Sequence, residues 1–249
     1  MAVAAPLVAV GSPAQAAPTP IPPNSWTRTV LTTEVQDPTD LDVAKDGSVV
    51  IAERTGTIKV WSQDGTLHTA GRIPVSANVS LTEVGEDDLE EGGIHGLLLD
   101  RDFLRTRKVF VRYSVPNSVG RNGEGVFRVS TFTLTKALKL DLKSERKVID
   151  TPAEWGHCCH YGGDMEWTRD GKILMTVGDD TSPRDEGWNP RDKRKGREAF
   201  NADRTARNKK DRRGKLLRFN EDGSIPTDNP FFATQSGLGR AVWAYGLRN

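Results

Sequence analysis

Short apolar runs separated by Asp-Gly turns dominate the chain. The segments DLDVAKDGSVVIAE (residues 40–53) and DMEWTRDGKILMTV (residues 164–177) align without gaps. In each, alternating acidic and apolar positions lead to Asp-Gly and then to a mostly apolar run, which is a strong short-range signal of a β-hairpin. The chain is therefore predicted to contain the same hairpin twice.

A looser copy of this hairpin, GLLLDRDFLRTRKVFVRYS (residues 96–114), lies between the other two. The outer copies are 124 positions apart, so the repeat has a period of about 62 residues. Further strand-like runs (IKVW, VFRVSTFTL, RKVID and KLLRFN) fill the intervals, and no amphipathic helix interrupts them. Each period thus holds about four strands. This favours a β-propeller with four-stranded blades around a channel, and a two-sheet sandwich is the alternative.

The same period predicts an incomplete propeller. A fourth unit would begin near residue 226, and AVWAYGLRN (residues 241–249) would lie inside it. A propeller covers its sheet edges only when the ring closes. We therefore expect an all-β fold, a fragment of about three and a half blades of a propeller, with open edges.

The N-terminal segment has the pattern of an export signal. An apolar run leads to Ala-Gln-Ala at residues 14–16, which is a signal-peptidase pattern, but no basic stretch precedes it. Residues 1–17 are thus predicted to be an N-terminally incomplete signal peptide, and a disordered Ala/Pro tail is the alternative. We expect a secreted or periplasmic protein, a linker and outer strand at residues 18–36, and the partial propeller at residues 37–249.

Charge gives little support for nucleic acid or membrane as a partner. The formal net charge is +1, with 28% charged residues, and the apolar run near the N-terminus is too short to span a bilayer. Residues 191–213 are an exception, with eleven Lys or Arg and four acids, a local net charge of +7. This run has one aromatic residue and no nucleic-acid motif, so a solvated insertion within the third blade is favoured.

The segment HCCHYGG (residues 157–163) contains both cysteines and two of the four histidines. A two-residue turn at residues 170–171 would place Gly162 opposite Asp179, with His160 at the same end of the hairpin. A histidine beside a carboxylate in a cleft can act as a general base, because the carboxylate fixes the tautomer and stabilises the imidazolium. A histidine that is hydrogen-bonded for architecture alone is the alternative.

Cys158 and Cys159 are adjacent, and export would place them in an oxidising compartment. Their Cα atoms are about 3.8 Å apart, so a bridge between them would be a strained ring that could hold His160 rigid. The sequence does not distinguish this vicinal disulfide from two free thiols. A zinc site in the same segment is disfavoured because zinc-binding cysteines are normally two to four residues apart, and no metal ligands are predicted.

Five motifs resemble a known family. They are DPTDLDVAKDGSVVIAERTGTIKVW, EEGGIHGLLLDRDF, CCHYGGDMEWTRDGKILMTVGDD, RRGKLLRFNEDGSIPTDNPF and AYGLRN, in that order. Together they resemble the glucose/sorbosone dehydrogenase family, soluble sugar dehydrogenases that use pyrroloquinoline quinone (PQQ). The resemblance covers nearly all of residues 37–249, and it implies a six-bladed β-propeller.

The resemblance also implies roles for five residues. His160 matches the base that takes the proton from the anomeric hydroxyl of an aldose, as hydride passes from that carbon to PQQ and the lactone forms. Asp179 matches the acid that partners this base. Arg248 and Asn249 match a pair that contacts PQQ, where a guanidinium can stabilise negative charge on the reduced quinone. Glu91 falls where some members have a glutamine near the sugar, so it is a candidate substrate contact.

The resemblance further implies a calcium ion that polarises PQQ, with backbone ligands beyond the last residue of this sequence. We therefore expect the chain by itself not to turn over. The expected partners are a sugar and an electron acceptor. Two alternatives remain: a non-catalytic propeller that binds carbohydrate or protein at the same mouth, and a calcium-dependent lactonase, which would need carboxylates and Asn converging on a metal.

Overall fold

The structure is a computed structural model, and it describes residues 27–77, 91–116, 124–154, 160–182, 188 and 190–249. All strands of the described ranges lie in the compact unit Glu34–Asn249. Residues 27–36 form no strand, so the outer strand expected within residues 18–36 is not formed in its described part. The predicted signal peptide lies outside the described residues.

Twelve strands in the described part of the chain form three four-stranded antiparallel sheets, each ordered as along the chain. The first sheet contains β1 (Pro38–Val43), β2 (Val49–Glu53), β3 (Thr57–Trp61) and β4 (Leu67–Arg72). The second contains β5 (Ile94–Leu99), β6 (Lys108–Ser114), β7 (Glu124–Leu134) and β8 (Leu140–Glu154). The third contains β9 (Met165–Trp167), β10 (Ile173–Val177), β11 (Lys215–Phe219) and β12 (Val242–Tyr245).

Helical structure in the described ranges is limited to short segments. They are α1 (Phe103–Thr106) and three 3-10 helices, Glu198–Phe200, Ala202–Arg204 and Gly237–Ala241. The three sequence repeats are the hairpins β1–β2, β5–β6 and β9–β10, and their first strands β1, β5 and β9 are neighbours in space. These are therefore the inner hairpins of successive blades. The predicted all-β propeller architecture is confirmed.

The segment AVWAYGLRN occupies a different place from the one predicted. Its residues Val242–Tyr245 form β12 and pair with β11, with Lys215 opposite Tyr245, so they complete the third sheet rather than a fourth unit. The physical reason is the long insertion between β10 and β11. It lengthens the third unit beyond the 62-residue period.

The turn of the third inner hairpin also differs from the predicted two-residue turn. The Thr168 N–H donates to the Lys172 carbonyl (2.9 Å), and the Gly171 N–H donates to the Thr168 carbonyl (3.0 Å). Gly171 has a φ of +77°, as three-residue hairpin loops require. The register therefore shifts by one residue, and the Asp180 N–H donates to the His160 carbonyl (3.3 Å).

Apolar side chains fill the two gaps between neighbouring sheets. Val50, Val60 and Val111 belong to the cluster between the first and second sheets. Phe110 and Phe219 belong to the cluster between the second and third sheets. This face-to-face packing buries one layer of each sheet against the next, and it fixes the inner hairpins relative to one another.

Two carboxylates of β1 also join the first and second sheets. An Asp40 oxygen accepts the Leu97 N–H (2.6 Å), and an Asp42 oxygen accepts the Leu99 N–H (2.8 Å). Burial raises the pKa of Asp40 to about 6, although the N–H bonds from Leu97 and Leu41 favour the ionised form. Backbone groups of β5 that have no strand on that side are thus satisfied by side chains.

Candidate active site around His160

His160 lies at the end of the third inner hairpin that is opposite the Thr168–Lys172 turn. The backbone there is irregular, with φ values of +66° at His160, +60° at Gly162 and +137° at Gly163. A left-handed conformation at a residue other than glycine costs about 1–2 kcal/mol and persists only where neighbouring groups hold it. The groups that hold His160 therefore define the site.

Gly178 makes room for the His160 backbone. A Cβ atom at position 178 would lie 1.6 Å from the His160 carbonyl oxygen, which no side chain could tolerate without a backbone shift. The two backbones meet at this point because residue 178 has no side chain. Gly178, the glycine of the GDD sequence at residues 178–180, is thus required for the position of His160.

The His160 ring is held by a backbone carbonyl. Its Nδ1 atom lies 2.8 Å from the Thr181 oxygen. A carbonyl can only accept, so Nδ1 carries the proton and the neutral ring presents Nε2 as an acceptor. No residue in the described ranges hydrogen bonds to Nε2. The ring is therefore oriented as a general base requires.

In the described part of the chain, Asp179 makes no hydrogen bond to the His160 ring, which differs from the predicted pairing. Its buried carboxylate instead accepts the Thr181 N–H (2.9 Å) and lies 3.1 Å from Arg248 Nη1. The one-residue register shift explains the difference. Asp179 reaches His160 indirectly, because it holds the peptide of the residue whose carbonyl binds Nδ1.

Glu91 supplies the carboxylate that touches His160. Its Oε2 atom accepts the His160 backbone N–H at 3.0 Å. Burial raises the pKa of Glu91, and the N–H bond and the charge of His160 oppose this rise. Glu91 thus lies beside the candidate base, where the sequence had indicated only a substrate contact.

The GLRN segment closes the site from the other side. The Arg248 carbonyl accepts the Asp179 N–H (2.9 Å), and the Arg248 side chain is 36% exposed. Asn249 Oδ1 accepts the Gly162 N–H at 3.0 Å. Five residues that the sequence singled out therefore meet at one place: Glu91, His160, Asp179, Arg248 and Asn249.

The predicted solvated insertion is a folded part of the site's surroundings. It lies between β10 and β11, where buried Asp192 accepts from Arg194 and Arg197. These guanidinium groups hold the pKa of Asp192 well below its usual range. Much of the positive charge is therefore paired within the segment, although the sequence pattern is typical of an exposed loop.

A buried lysine, which no sequence pattern indicated, fixes the end of this insertion. Lys215 Nζ donates to the carbonyls of Thr205 (2.8 Å), Ala206 (3.1 Å) and Arg213 (2.6 Å). Burial lowers the pKa of Lys215 to about 8. The Thr205 hydroxyl in turn donates to the Asp179 carbonyl (2.7 Å), so the lysine supports the backbone at Asp179.

An open cleft of about 300 Å³ lies beside Asp179. Its charged lining includes Arg191, Arg207 and Arg248, together with Asp179 and Asp203. Arg191 and Arg207 both pair with Asp203. Arginines that are held in place but partly exposed suit recognition of a carboxylate or another planar anion.

Some predictions fall on residues that the structure does not describe. Cys158 and Cys159 lie outside the described residues, so the vicinal disulfide stays a prediction. Within the described ranges, no group of three His, Cys, Asp or Glu side chains could hold a metal ion. No helix in the same ranges is long and apolar enough to cross a membrane.

Consecutive four-stranded sheets with a site at one end of their inner hairpins define the chain as part of a β-propeller. The sequence profile of the glucose/sorbosone dehydrogenase family matches residues 35–249. The chain belongs to this family. Motifs, fold and family profile therefore agree over most of the chain.

Two curated relatives show the extent of the likeness. An uncharacterized protein of Synechocystis is 26% identical over 207 residues, which are 82% of this chain and 45% of that protein. The aldose sugar dehydrogenase YliI of Escherichia coli is 26% identical over 159 residues, 64% of this chain and 36% of that enzyme. The chain thus spans less than half the length of these relatives.

Solved structures show the same fold. The apo form of the soluble aldose sugar dehydrogenase of Escherichia coli matches with a TM-score of 0.64 and 24% identity, over 89% of this chain and 54% of that one. The PQQ-bound aldose sugar dehydrogenase of Streptomyces coelicolor matches with a TM-score of 0.62 and 18% identity, over the same shares. At this identity the likeness establishes a common propeller architecture.

Proposed function

We propose that the protein containing this chain is a PQQ-dependent sugar dehydrogenase that oxidises an aldose at its anomeric carbon to the lactone, with His160 as the general base. One observation carries the proposal. His160 Nδ1 is bound to the Thr181 carbonyl, which leaves Nε2 without a described partner at the end of an inner hairpin. A base needs this arrangement: one nitrogen fixed and the other open to substrate.

The residues beside His160 fit an anionic quinone. Arg248 is anchored by Asp179 through Nη1, while 36% of its side chain stays exposed. Asn249 uses Oδ1 for the Gly162 N–H, so its amide NH₂ group can still donate. We assign Arg248 and Asn249 to PQQ, which when bound accepts hydride from the sugar carbon. The guanidinium would stabilise the negative charge that develops there.

His160 would take the proton of the anomeric hydroxyl at Nε2. The resulting imidazolium keeps its Nδ1–H bond to Thr181, and the nearby Glu91 carboxylate favours the positive charge. Asp179 serves this step through Thr181, whose N–H it binds. The proton is thus accepted in a site where backbone and carboxylate groups are already oriented toward the charge that forms.

Glu91 is also the proposed sugar contact. Only its Oε2 atom has a partner in the described part of the chain, the His160 N–H. Its Oε1 atom can therefore accept a sugar hydroxyl close to the base. The described ranges contain no group of three His, Cys, Asp or Glu side chains that could hold the calcium ion that the family resemblance implies. We propose that the full-length protein binds calcium through other groups, and the steps assigned to His160, Glu91 and Asp179 do not depend on it.

Reconstitution tests this function. The full-length protein, loaded with PQQ and calcium, should oxidise aldoses with an artificial electron acceptor and should perturb the absorption spectrum of PQQ. Absence of both signals would refute the dehydrogenase and favour a propeller that only binds carbohydrate or protein. A PQQ spectral change without oxidation of any aldose would refute the substrate class alone.

Export is proposed on the pattern of residues 1–17. Cell fractionation with N-terminal sequencing tests it. Recovery outside the cytoplasm with cleavage after residue 16 is the expected result. A cytoplasmic protein that retains these residues would refute export.

A further inference from the structure

Two side chains of the second sheet reach across to the backbone that follows His160. Arg112 on β6 donates from Nη1 to the Gly162 carbonyl (3.0 Å) and from Nη2 to the Tyr161 carbonyl (3.1 Å). His95 on β5 has its Nδ1 atom 3.1 Å from the same Gly162 oxygen. The two residues after the candidate base are thus bound from a neighbouring blade.

Arg112 is buried to an unusual degree for a guanidinium. It is 1% exposed and lies 4.2 Å over the Phe127 ring. Burial lowers its pKa to about 9, and Asp180 opposes this effect, so it stays charged at neutral pH. A buried charge is costly unless hydrogen bonds compensate it. Within the described residues, the Tyr161 and Gly162 carbonyls provide this compensation at Nη2 and Nη1, and the buried Nε atom has no hydrogen-bond partner.

His95 connects the same backbone to Glu91. Its Nε2 atom lies 2.5 Å from the Glu91 carbonyl oxygen, and its ring packs edge-on against Phe127 at 4.8 Å. The Glu91 side chain in turn accepts the His160 N–H. A neutral imidazole has one N–H, so His95 donates to one of these two carbonyls, that of Gly162 or that of Glu91, and its other ring nitrogen lies against the second.

We propose that His95 and Arg112 form a positioning pair that sets the orientation of the His160 ring by fixing the Tyr161 and Gly162 carbonyls. The inference rests on the proposed role of His160 as base. Neither residue touches the ring. Their effect passes through the peptide planes that follow His160.

The backbone geometry explains why such a pair is needed. His160 and Gly162 have left-handed φ values, and the chain turns their neighbouring carbonyls toward the second sheet. A strained path persists only when several contacts determine it. If the carbonyls are released, His160 can relax away from Thr181, and a displacement of about 1 Å at a reacting group costs about 100-fold in rate.

Kinetics of variants test the pair in the reconstituted full-length protein. Arg112→Met and His95→Leu should each lower kcat about 10- to 100-fold and leave KM for the aldose within about twofold. His95→Gln, which keeps an N–H donor, should restore part of the loss. The matched controls are Arg128→Met on β7, whose guanidinium pairs with Asp150, and His68→Leu on the outer strand β4, and both should leave kcat unchanged.

A second measurement does not depend on activity. In protein with ¹³C-labelled histidine, Arg112→Met and His95→Leu should shift the ring resonances of His160, while the ring resonances of His68 stay in place. If the wild type proves inactive on sugars, this result still decides the positioning role. Unchanged His160 resonances in a folded variant would overturn the pair. If Arg112→Met does not fold, Arg112→Lys and His95→Leu provide the same test.

Discussion

The first and third inner hairpins share a sequence pattern, yet their ends away from the turn differ. At the turn end they match: the Gly47 N–H donates to the Ala44 carbonyl (2.8 Å), and the Gly171 N–H donates to the Thr168 carbonyl (3.0 Å). The repeat therefore encodes the hairpin itself. The difference at the far end determines which hairpin carries a candidate site.

In the first hairpin, buried Arg54 occupies the far end. It donates from Nε to an Asp37 carboxylate oxygen at 2.6 Å and from its N–H to the Asp37 carbonyl at 2.9 Å. The aligned position in the third hairpin is Gly178, where the His160 carbonyl fills the space. One end is closed by an ion pair, and the other admits a histidine in a left-handed conformation.

Replacing Gly178 by Ala should make the third hairpin more like the first. The new Cβ would lie 1.6 Å from the His160 oxygen. We expect a loss of about 3–4 kcal/mol in the free energy of unfolding and about 100-fold in turnover. Urea unfolding and steady-state kinetics measure these effects.

Gly71→Ala in the first sheet is the control for this variant. Its Cβ would meet Leu140 Cβ at 3.1 Å, a contact that small shifts can relieve. We expect it to cost about 1 kcal/mol or less. A Gly178→Ala protein as stable and active as this control would contradict the role given to the glycine.

Lys215→Met should destabilise the third sheet and leave the contacts of the other two sheets unchanged. The carbonyls of Thr205, Ala206 and Arg213 would lose their common donor, at a cost of about 3 kcal/mol in unfolding free energy. Lys139→Met, which removes an exposed amine that binds one carbonyl, should change stability by less than about 0.5 kcal/mol. Equal effects in the two variants would show that burial of Lys215 does not support the insertion.

His95 makes the second sheet sensitive to pH. Burial, with Arg112 and Arg54 nearby, lowers its pKa to about 4, against the effect of the Glu91 and Gly162 carbonyls. The unfolded chain, with a histidine pKa of about 6.5, binds more protons below that pH, so stability is lost as the pH falls from about 6.5 toward 4.

The expected loss is about 2 kcal/mol of unfolding free energy by pH 5. Urea unfolding of wild type and His95→Leu from pH 7 to 4.5 measures it, and the variant should lack this part of the slope. His68→Leu should retain the slope. A wild-type slope that survives in His95→Leu would show that another group causes it.

Asp40→Asn should have the smallest effect on the free energy of unfolding, and it tests the pH dependence that Asp40 gives to the first sheet. The pKa of Asp40 is about 6 in the fold, so the folded chain binds more protons than the unfolded chain between about pH 4 and 6, and stability falls as the pH rises through this window. Asn cannot ionise, and its amide oxygen still accepts the Leu97 N–H.

The variant should be more stable than wild type by about 1 kcal/mol at pH 7, a value reduced for partial exposure of the carboxylate, and equal to it near pH 4. Thermal or urea unfolding at the two pH values measures this. A gain of the same size at both pH values would show that charge is not its cause.

The fold could be predicted because its signal is local. Alternation around Asp-Gly determines a hairpin without reference to the rest of the chain, and three copies imply blades. Register could not be predicted in the same way. One additional residue in the Thr168–Lys172 turn shifts the pairing register of β9 and β10 by one position. Asp179 therefore does not bind His160 directly: it accepts the Thr181 N–H, and the Thr181 carbonyl binds His160 Nδ1.

The sequence pattern indicated even less about the residues that support the site. Arg112 and Lys215 lie in strand-like runs, where a positive charge ordinarily indicates a solvent-facing position. Their burial depends on carbonyls contributed by irregular loops that are distant in sequence. Such partners are set by tertiary packing, which periodicity does not reveal.

The central claim is that His160 is the base, and His160→Gln tests it most directly. In the full-length protein with PQQ and calcium, turnover of the aldose should fall at least about 100-fold, and the PQQ absorption change should match that of wild type and of the control His68→Gln. Turnover within a few-fold of the control would contradict the assignment.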